Sequence, residues 1–296
     1  MRVPNLPLQL LGLELVKIIL FTMPYVMVSS AKRFEGQASA LLEKTDIIAS
    51  TPHSLVDLVD PFSNSEDKPM IISLLQKQLQ GCAVDWEKKL ACIPRPWEKD
   101  PQGPKHPFPQ LIIPNPVVSG PRTLLPQVYL SVYNATQQQD VETVPPTTDV
   151  ASCLLRDALA DTINILDVNR LAAARLLIDV DCYFAPDTFV KRATPFDRLR
   201  DDDRTTTWKP EDVAVDAVFS QLFQLPAPEH KLVYYHSVLT ECCKIAPAAI
   251  APSLGRAIRF LYTNLEVLDL EVCYRFLDWF AHHLSNFGFT WKWSEW

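Results

Sequence analysis

From Trp208 to the end of the chain, apolar residues recur with the period of an α-helix. Lys209-Pro210-Glu211-Asp212 places a proline in a first helical turn and two acids beside the helix dipole. Val215, Val218, Phe219 and Leu222 then fall at i, i+3, i+4 and i+7, and Pro226 and Pro228 end the stretch. Leu232, Tyr235, Leu239 and Cys242 line a second helix, closed by Pro247 and Pro252. Leu254, Ile258, Leu261, Leu265 and Leu268 line a third, and Val272, Phe276, Trp279, Phe280, His283 and Phe287 a fourth. Four helices joined by short proline-bearing turns make two antiparallel pairs of roughly 40 residues each, the length of a HEAT-type repeat. The pattern predicts an all-α fold of stacked helix pairs.

Upstream, the pattern divides the chain into three zones: 1–92, 93–148 and 149–296. The first reads as helices over about 8–30, 37–49 and 68–91, the last carrying Ile71, Leu74, Leu75, Leu79 and Cys82 on one stripe. The second is rich in proline, from Pro94 and Pro96 to Pro145-Pro146, which blocks long helices and disfavours central strands. It reads as an extended connector with Leu111, Ile112 and Ile113 tucked in and Gln137-Gln138-Gln139-Asp140 exposed. In the third zone Asp149 is placed to cap a helix from Val150 whose stripe is Leu154, Leu155, Ala158, Leu159, Ile163 and Leu166. Asp167 is placed to open the next helix, through Ala172 and Leu176, and a charged loop from Arg198 to Arg204 follows.

Composition narrows the function. The net charge of −7 and a pI near 5.4, with no basic run beyond Lys32-Arg33 and Lys191-Arg192, make a poor direct binder of phosphate backbones. Only 7 glycines against 25 prolines exclude glycine-rich phosphate loops and suit helices separated by stiff turns. The seven cysteines, Cys82, Cys92, Cys153, Cys182, Cys242, Cys243 and Cys273, lack metal-ligand spacing and read as small buried hydrophobes of a reducing compartment. Residues 8–30 suggest a membrane segment, but Glu14 and Lys17 interrupt the apolar run, and a buried helix kinked at Pro24 fits better.

No catalytic constellation stands out, and no cofactor or metal site is expected. Asp201-Asp202-Asp203 lacks the alternation, turn glycine and closing glutamate of a calcium loop. His282 and His283, near Asp278 and Glu271, point about 100° apart on a helix and cannot share a metal as an i, i+4 pair does. His283 lies on the apolar stripe and reads as a core histidine. Phe276, Trp279 and Phe280 read as core. The terminal aromatics Phe289, Trp291, Trp293 and Trp296 are the candidate partner contacts, because buried aromatic anchors dominate protein interfaces.

Four stretches carry a family resemblance. The run FSQLFQLPAPEHKLVYYHSVLTECCKIAP at 219–247, then RFLDWFAHHLSNFGFTWKWSEW at 275–296, resembles the large subunit of the nuclear cap-binding complex. DVNRLAAARLLIDVDCYFAPDTF at 167–189 is similar to the preceding part of the same domain, and ELVKIILFTMPYVMVSS at 14–30 to a helix late in the family's first domain.

The resemblance implies helical domains related to the middle domain of translation initiation factor 4G, so HEAT/MIF4G-like repeats. It implies a fragment running from the end of a first helical domain (1–92), through the connector (93–148), into part of a second (149–296). It also implies a tight partnership with a small RNA-recognition-motif subunit that stacks the 7-methylguanosine cap, so that capped RNA is met indirectly. Splicing, processing and export of capped transcripts, and a nuclear location with shuttling to the cytoplasm, follow from the same resemblance. The alternatives are a generic helical-repeat adaptor of RNA metabolism or translation, and a membrane anchor at 8–30.

Overall fold

Three successive helix pairs stack side by side in two layers in the computed structural model, which describes residues 6–49, 79–80, 86–99, 109–110, 112, 130–133, 141–146, 150–200, 206–225 and 227–291. The pairs are α4 (Val150–Ile165) with α5 (Arg170–Ile178), α6 (Pro210–Leu222) with α7 (Leu232–Ile245), and α8 (Pro247–Thr263) with α9 (Leu270–Asn286). Within one layer α4 packs on α6 and α6 on α8; within the other α5 packs on α7 and α7 on α9. Contacts of α4 with α5, α6 with α7, and α7 with α8 join the layers. This double-layered stack is the architecture of HEAT and MIF4G-like repeats, in which each pair contacts its neighbours. No strand occurs among the described residues.

The predicted stripes form the core. Phe219, Phe223, Tyr235, Leu239, Leu261, Val272, Phe276 and Trp279 are all buried in one cluster with Leu159, Ile163 and Leu177 of the first pair. Proline sets the starts of α6 and α8, with Pro210 and Pro247 in their first turns, where a missing N–H costs nothing. Pro252 lies inside α8 rather than ending a helix, and Leu265 and Leu268 fall in the turn after Thr263, half-buried. The helix α5 opens at Asn169, whose side chain accepts from the Ala172 N–H at 3.1 Å, and not at Asp167. Asp149 lies outside the described residues, as do Cys82 and the triplet Asp201 to Asp203.

Upstream, α1 (Leu6–Ala49) is one continuous helix where the sequence suggests two. Pro24 sits inside it, removing the N–H that the Leu20 carbonyl would accept. The helix persists because its side chains are held on both sides of the proline. Val16, Leu20, Met23 and Met27, then Ala38, are buried in a second cluster with Leu79, Trp86, Leu90 and Ile93. The short helices α2 (Trp86–Lys89) and α3 (Pro96–Lys99) follow, and α2 packs on α1. Most of the expected helix over 68–91 lies outside the described residues. One face of α4 joins this second cluster through Val150, Cys153 and Leu154, while Leu159 and Ile163 join the main core. No helix among the described residues is long and apolar enough to cross a membrane.

The proline-rich connector differs from expectation in what it buries. Ile112 is 88% exposed; Leu130, Val132 and Val144 are buried in the main core instead. Leu111 and Ile113 lie outside the described residues, as does the stretch Gln137 to Asp140.

Candidate protein-interaction site

Buried ions on α6 fasten the connector across the layer formed by α4, α6 and α8. Glu211, Asp212 and Asp216 are each at most 3% exposed. Asp216 meets Arg156 of α4 at 2.5 Å and accepts the Val132 N–H at 2.7 Å. Burial pushes the Asp216 carboxyl above its ordinary value, while Arg156 and the Val132 N–H draw it down. Arg156 also donates to Ser152 Oγ at 3.0 Å and to the Leu130 carbonyl at 3.4 Å. One turn earlier, Asp212 pairs with Arg256 of α8, whose guanidinium lies over the rings of Tyr133 and Phe196 at 5.1 and 4.5 Å. The Tyr133 hydroxyl lies 2.7 Å from Ser253 Oγ and 2.9 Å from the Ser253 carbonyl. Lys209 Nζ reaches Glu211 at 3.0 Å, and its backbone N–H donates to the Thr143 carbonyl at 2.8 Å. The strap thus touches all three helices of its layer and holds their spacing.

The other layer ends in α9, which carries the aromatic tract. Trp279, 1% exposed, lies edge-on to Phe219 at 4.8 Å and stacks on His283 at 5.3 Å. The Phe287 ring lies 4.8 Å from that of His283, tilted by 44°. Arg275 crosses to α6, donating to the Leu222 and Gln224 carbonyls at 3.2 and 2.7 Å, so α9 caps the C-terminus of α6. His282 turns out of the core toward His236 of α7, ring centroids 5.3 Å apart. No group of three or more His, Cys, Asp or Glu side chains among the described residues is arranged to hold a metal ion. Cys153, Cys242 and Cys243 are buried, and burial pushes Cys242 and Cys243 up to about 12 and 11, so these thiols stay protonated and inert; Cys182 is exposed.

Burial, and then the neighbouring His282, lower His236 and His283 from 6.5 to about 4; Asp278 opposes this at His236. Both therefore remain neutral while the unfolded chain protonates below pH 6.5. Stability is complete above that pH and falls on acidification, by up to about 3 kcal/mol per histidine by pH 4. Urea unfolding of the wild type and of His283→Phe checks this. The variant should lose less stability between pH 6.5 and 4.5, and identical profiles would refute the assignment.

The candidate aromatics separate. The helix α9 ends at Asn286 with Phe287 as its C-cap, and Gly288 and Phe289 both take left-handed backbone, with φ of 64° and 57°. The Phe289 N–H closes back on the Leu284 carbonyl at 2.8 Å, a Schellman arrangement. Phe289 is 64% exposed in a conformation costing a non-glycine residue about 1 kcal/mol. Trp291 turns inward, half-buried and edge-on to Phe280 at 5.6 Å. Trp293 and Trp296 lie outside the described residues. The sequence reading missed a second apolar series on α9: Leu270, Tyr274 and Leu277 are 68%, 59% and 49% exposed. The spacing i, i+4, i+7, out of phase with the buried stripe, was its signal.

Residues 145–296, covering all three helix pairs, match the MIF4G-like family. The chain belongs to that family. This MIF4G-like chain is also 35% identical, over 96% of its length, to nuclear cap-binding protein subunit 1 of Schizosaccharomyces pombe. It is 35% identical over 58% of its length to nuclear cap-binding protein complex subunit 1 of Saccharomyces cerevisiae. It is 44% identical over 28% of its length to nuclear cap-binding protein subunit 1 of Homo sapiens. The likeness to the cap-binding large subunit thus holds beyond the tracts that first suggested it. The MIF4G-like chain spans 37%, 20% and 10% of these three relatives.

Proposed function

We propose that this chain is a non-catalytic scaffold segment of a nuclear cap-binding complex. The observation that carries the proposal is the similarity, along 96% of the chain, to a protein named as a nuclear cap-binding subunit. The segment supports a small RNA-recognition-motif subunit, which itself binds the 7-methylguanosine cap; the scaffold meets capped RNA indirectly. A rigid double layer pinned by buried ions suits that task, and so does an acidic chain that repels phosphate. The proposed organisation is the end of a first helical domain (1–92), a connector (93–148) and part of a second domain (149–296). Processing, splicing and export of capped transcripts are the proposed setting, in the nucleus with shuttling to the cytoplasm. Phe289 is proposed as a partner contact, because an exposed aromatic held in left-handed backbone is costly unless used.

Retention on cap-analogue resin tests the proposal. The 296-residue chain should be retained only when the small subunit is added. Retention of the chain alone would overturn indirect binding, and failure to co-retain with the small subunit would overturn the scaffold role.

A further inference from the structure

At 100° per residue, Leu270, Tyr274 and Leu277 of α9 project within about 60° of one another, and Ala281 continues the row. This row lies roughly opposite the buried stripe of Val272, Phe276, Trp279 and His283. The helix is therefore apolar on two faces, and only one is covered among the described residues. Val267, in the turn just before α9, is also 55% exposed. That exposed apolar row marks α9 as a docking surface.

The charges beside the row select the occupant. Glu266 and Asp269 stand at its N-terminal end, and Glu271 and Asp278, seven residues apart, line one flank; all four are exposed. Among residues 262–281 the sole basic side chain is Arg275, which is 3% exposed and spent on α6 and on Glu271, whose carboxylate its Nε meets at 2.9 Å, so the unpaired rim charge is carried by Glu266 and Asp278. An apolar row with an acidic rim complements a helix with apolar residues at i, i+3 or i+4, and i+7, flanked by Lys or Arg. We propose that the outer face of α9 docks a basic amphipathic helix of a partner protein. Leu270, Tyr274 and Leu277 supply the apolar contact and Asp278 and Glu266 the charge selection. The proposal does not rest on the cap-binding reading, since no cap or small subunit enters it.

Two synthetic helices of about five turns test it, sharing one leucine stripe, one flanked by lysines and its twin by glutamates. Titrated against the full chain by fluorescence anisotropy, the lysine helix should bind at least about tenfold more tightly than the twin, and salt should weaken it. Leu277→Asp should weaken the lysine helix about tenfold or more, with the thermal midpoint lowered by only a few degrees because about half of the side chain faces solvent. Glu266→Lys with Asp278→Lys should shift the preference toward the glutamate twin. Equal binding of the two helices, or undiminished binding to Leu277→Asp, would overturn the proposal. So would self-association in sedimentation that Leu277→Asp abolishes, since the occupant would then be a second copy of this chain.

Discussion

Replacing Arg156 by Met should lower the unfolding free energy by about 3–5 kcal/mol, the usual cost of stranding a buried charge. The side chain is 4% exposed, and its departure leaves Asp216, 1% exposed, without its guanidinium. Arg156 also serves Ser152 and the Leu130 carbonyl, so the strap loosens as the charge is stranded. A second substitution separates the two effects. Arg156→Met with Asp216→Leu removes both charges and should recover much of the loss, because apolar pairs replace buried ion pairs at little cost. The Val132 N–H then lacks its acceptor, so recovery should fall short by about 1–3 kcal/mol. Urea unfolding of the three proteins decides it. A loss under about 1 kcal/mol for Arg156→Met would mean that the ion pair is open to water.

Trp279→Ala should cost a similar amount, about 3–5 kcal/mol, through the cavity it leaves. Its indole fills the space among Phe219, Phe276, Phe280 and His283, on the helix that closes the second layer. Trp279→Phe should cost clearly less, since much of the volume stays. Should both variants unfold like the wild type, the main core would have to collapse around the gap, against the close packing seen there.

The helices from Pro210 onward were legible because each combines one apolar stripe with a proline that marks its boundary. Those signals are local and agree with one another. Elsewhere local and tertiary signals conflict, and the tertiary ones prevail. Residues 31–36 read as a gap between two helices, yet α1 runs through them, with Leu20, Met23 and Met27 buried on one side and Ala38 on the other. Leu111-Ile112-Ile113 reads as the buried part of the connector because it is its most apolar triplet. The side chains actually buried alternate along Leu130-Ser131-Val132, a pattern too short to register in a proline-rich stretch. Glu211 and Asp212 read only as acids beside a helix dipole, since nothing adjacent in sequence announces Arg256 or the strap.

The candidate contacts were legible to the same limited degree. An aromatic residue declares its appetite for burial but not the surface that will satisfy it. Trp291 finds Phe280 within its own chain, while Phe289, two residues earlier, is turned outward by a left-handed backbone that composition does not foretell. The outer row of α9 is visible as a second series at helical spacing, but the aromatic stripe on the opposite face carries the stronger apolar signal.

The strap also sets a timetable for folding. Val132 precedes Asp216 by 84 residues, and Tyr133 precedes Ser253 by 120. At a synthesis rate of 5–20 residues per second, Tyr133 leaves the ribosome roughly 6–24 s before its partner exists. Until α6 is made Leu130 and Val132 have no partner there, and closing the longer loop from Tyr133 must wait for α8. A proline-rich segment suits such a wait. It has little tendency to pair with another chain, so it stays available until the layer it binds is complete.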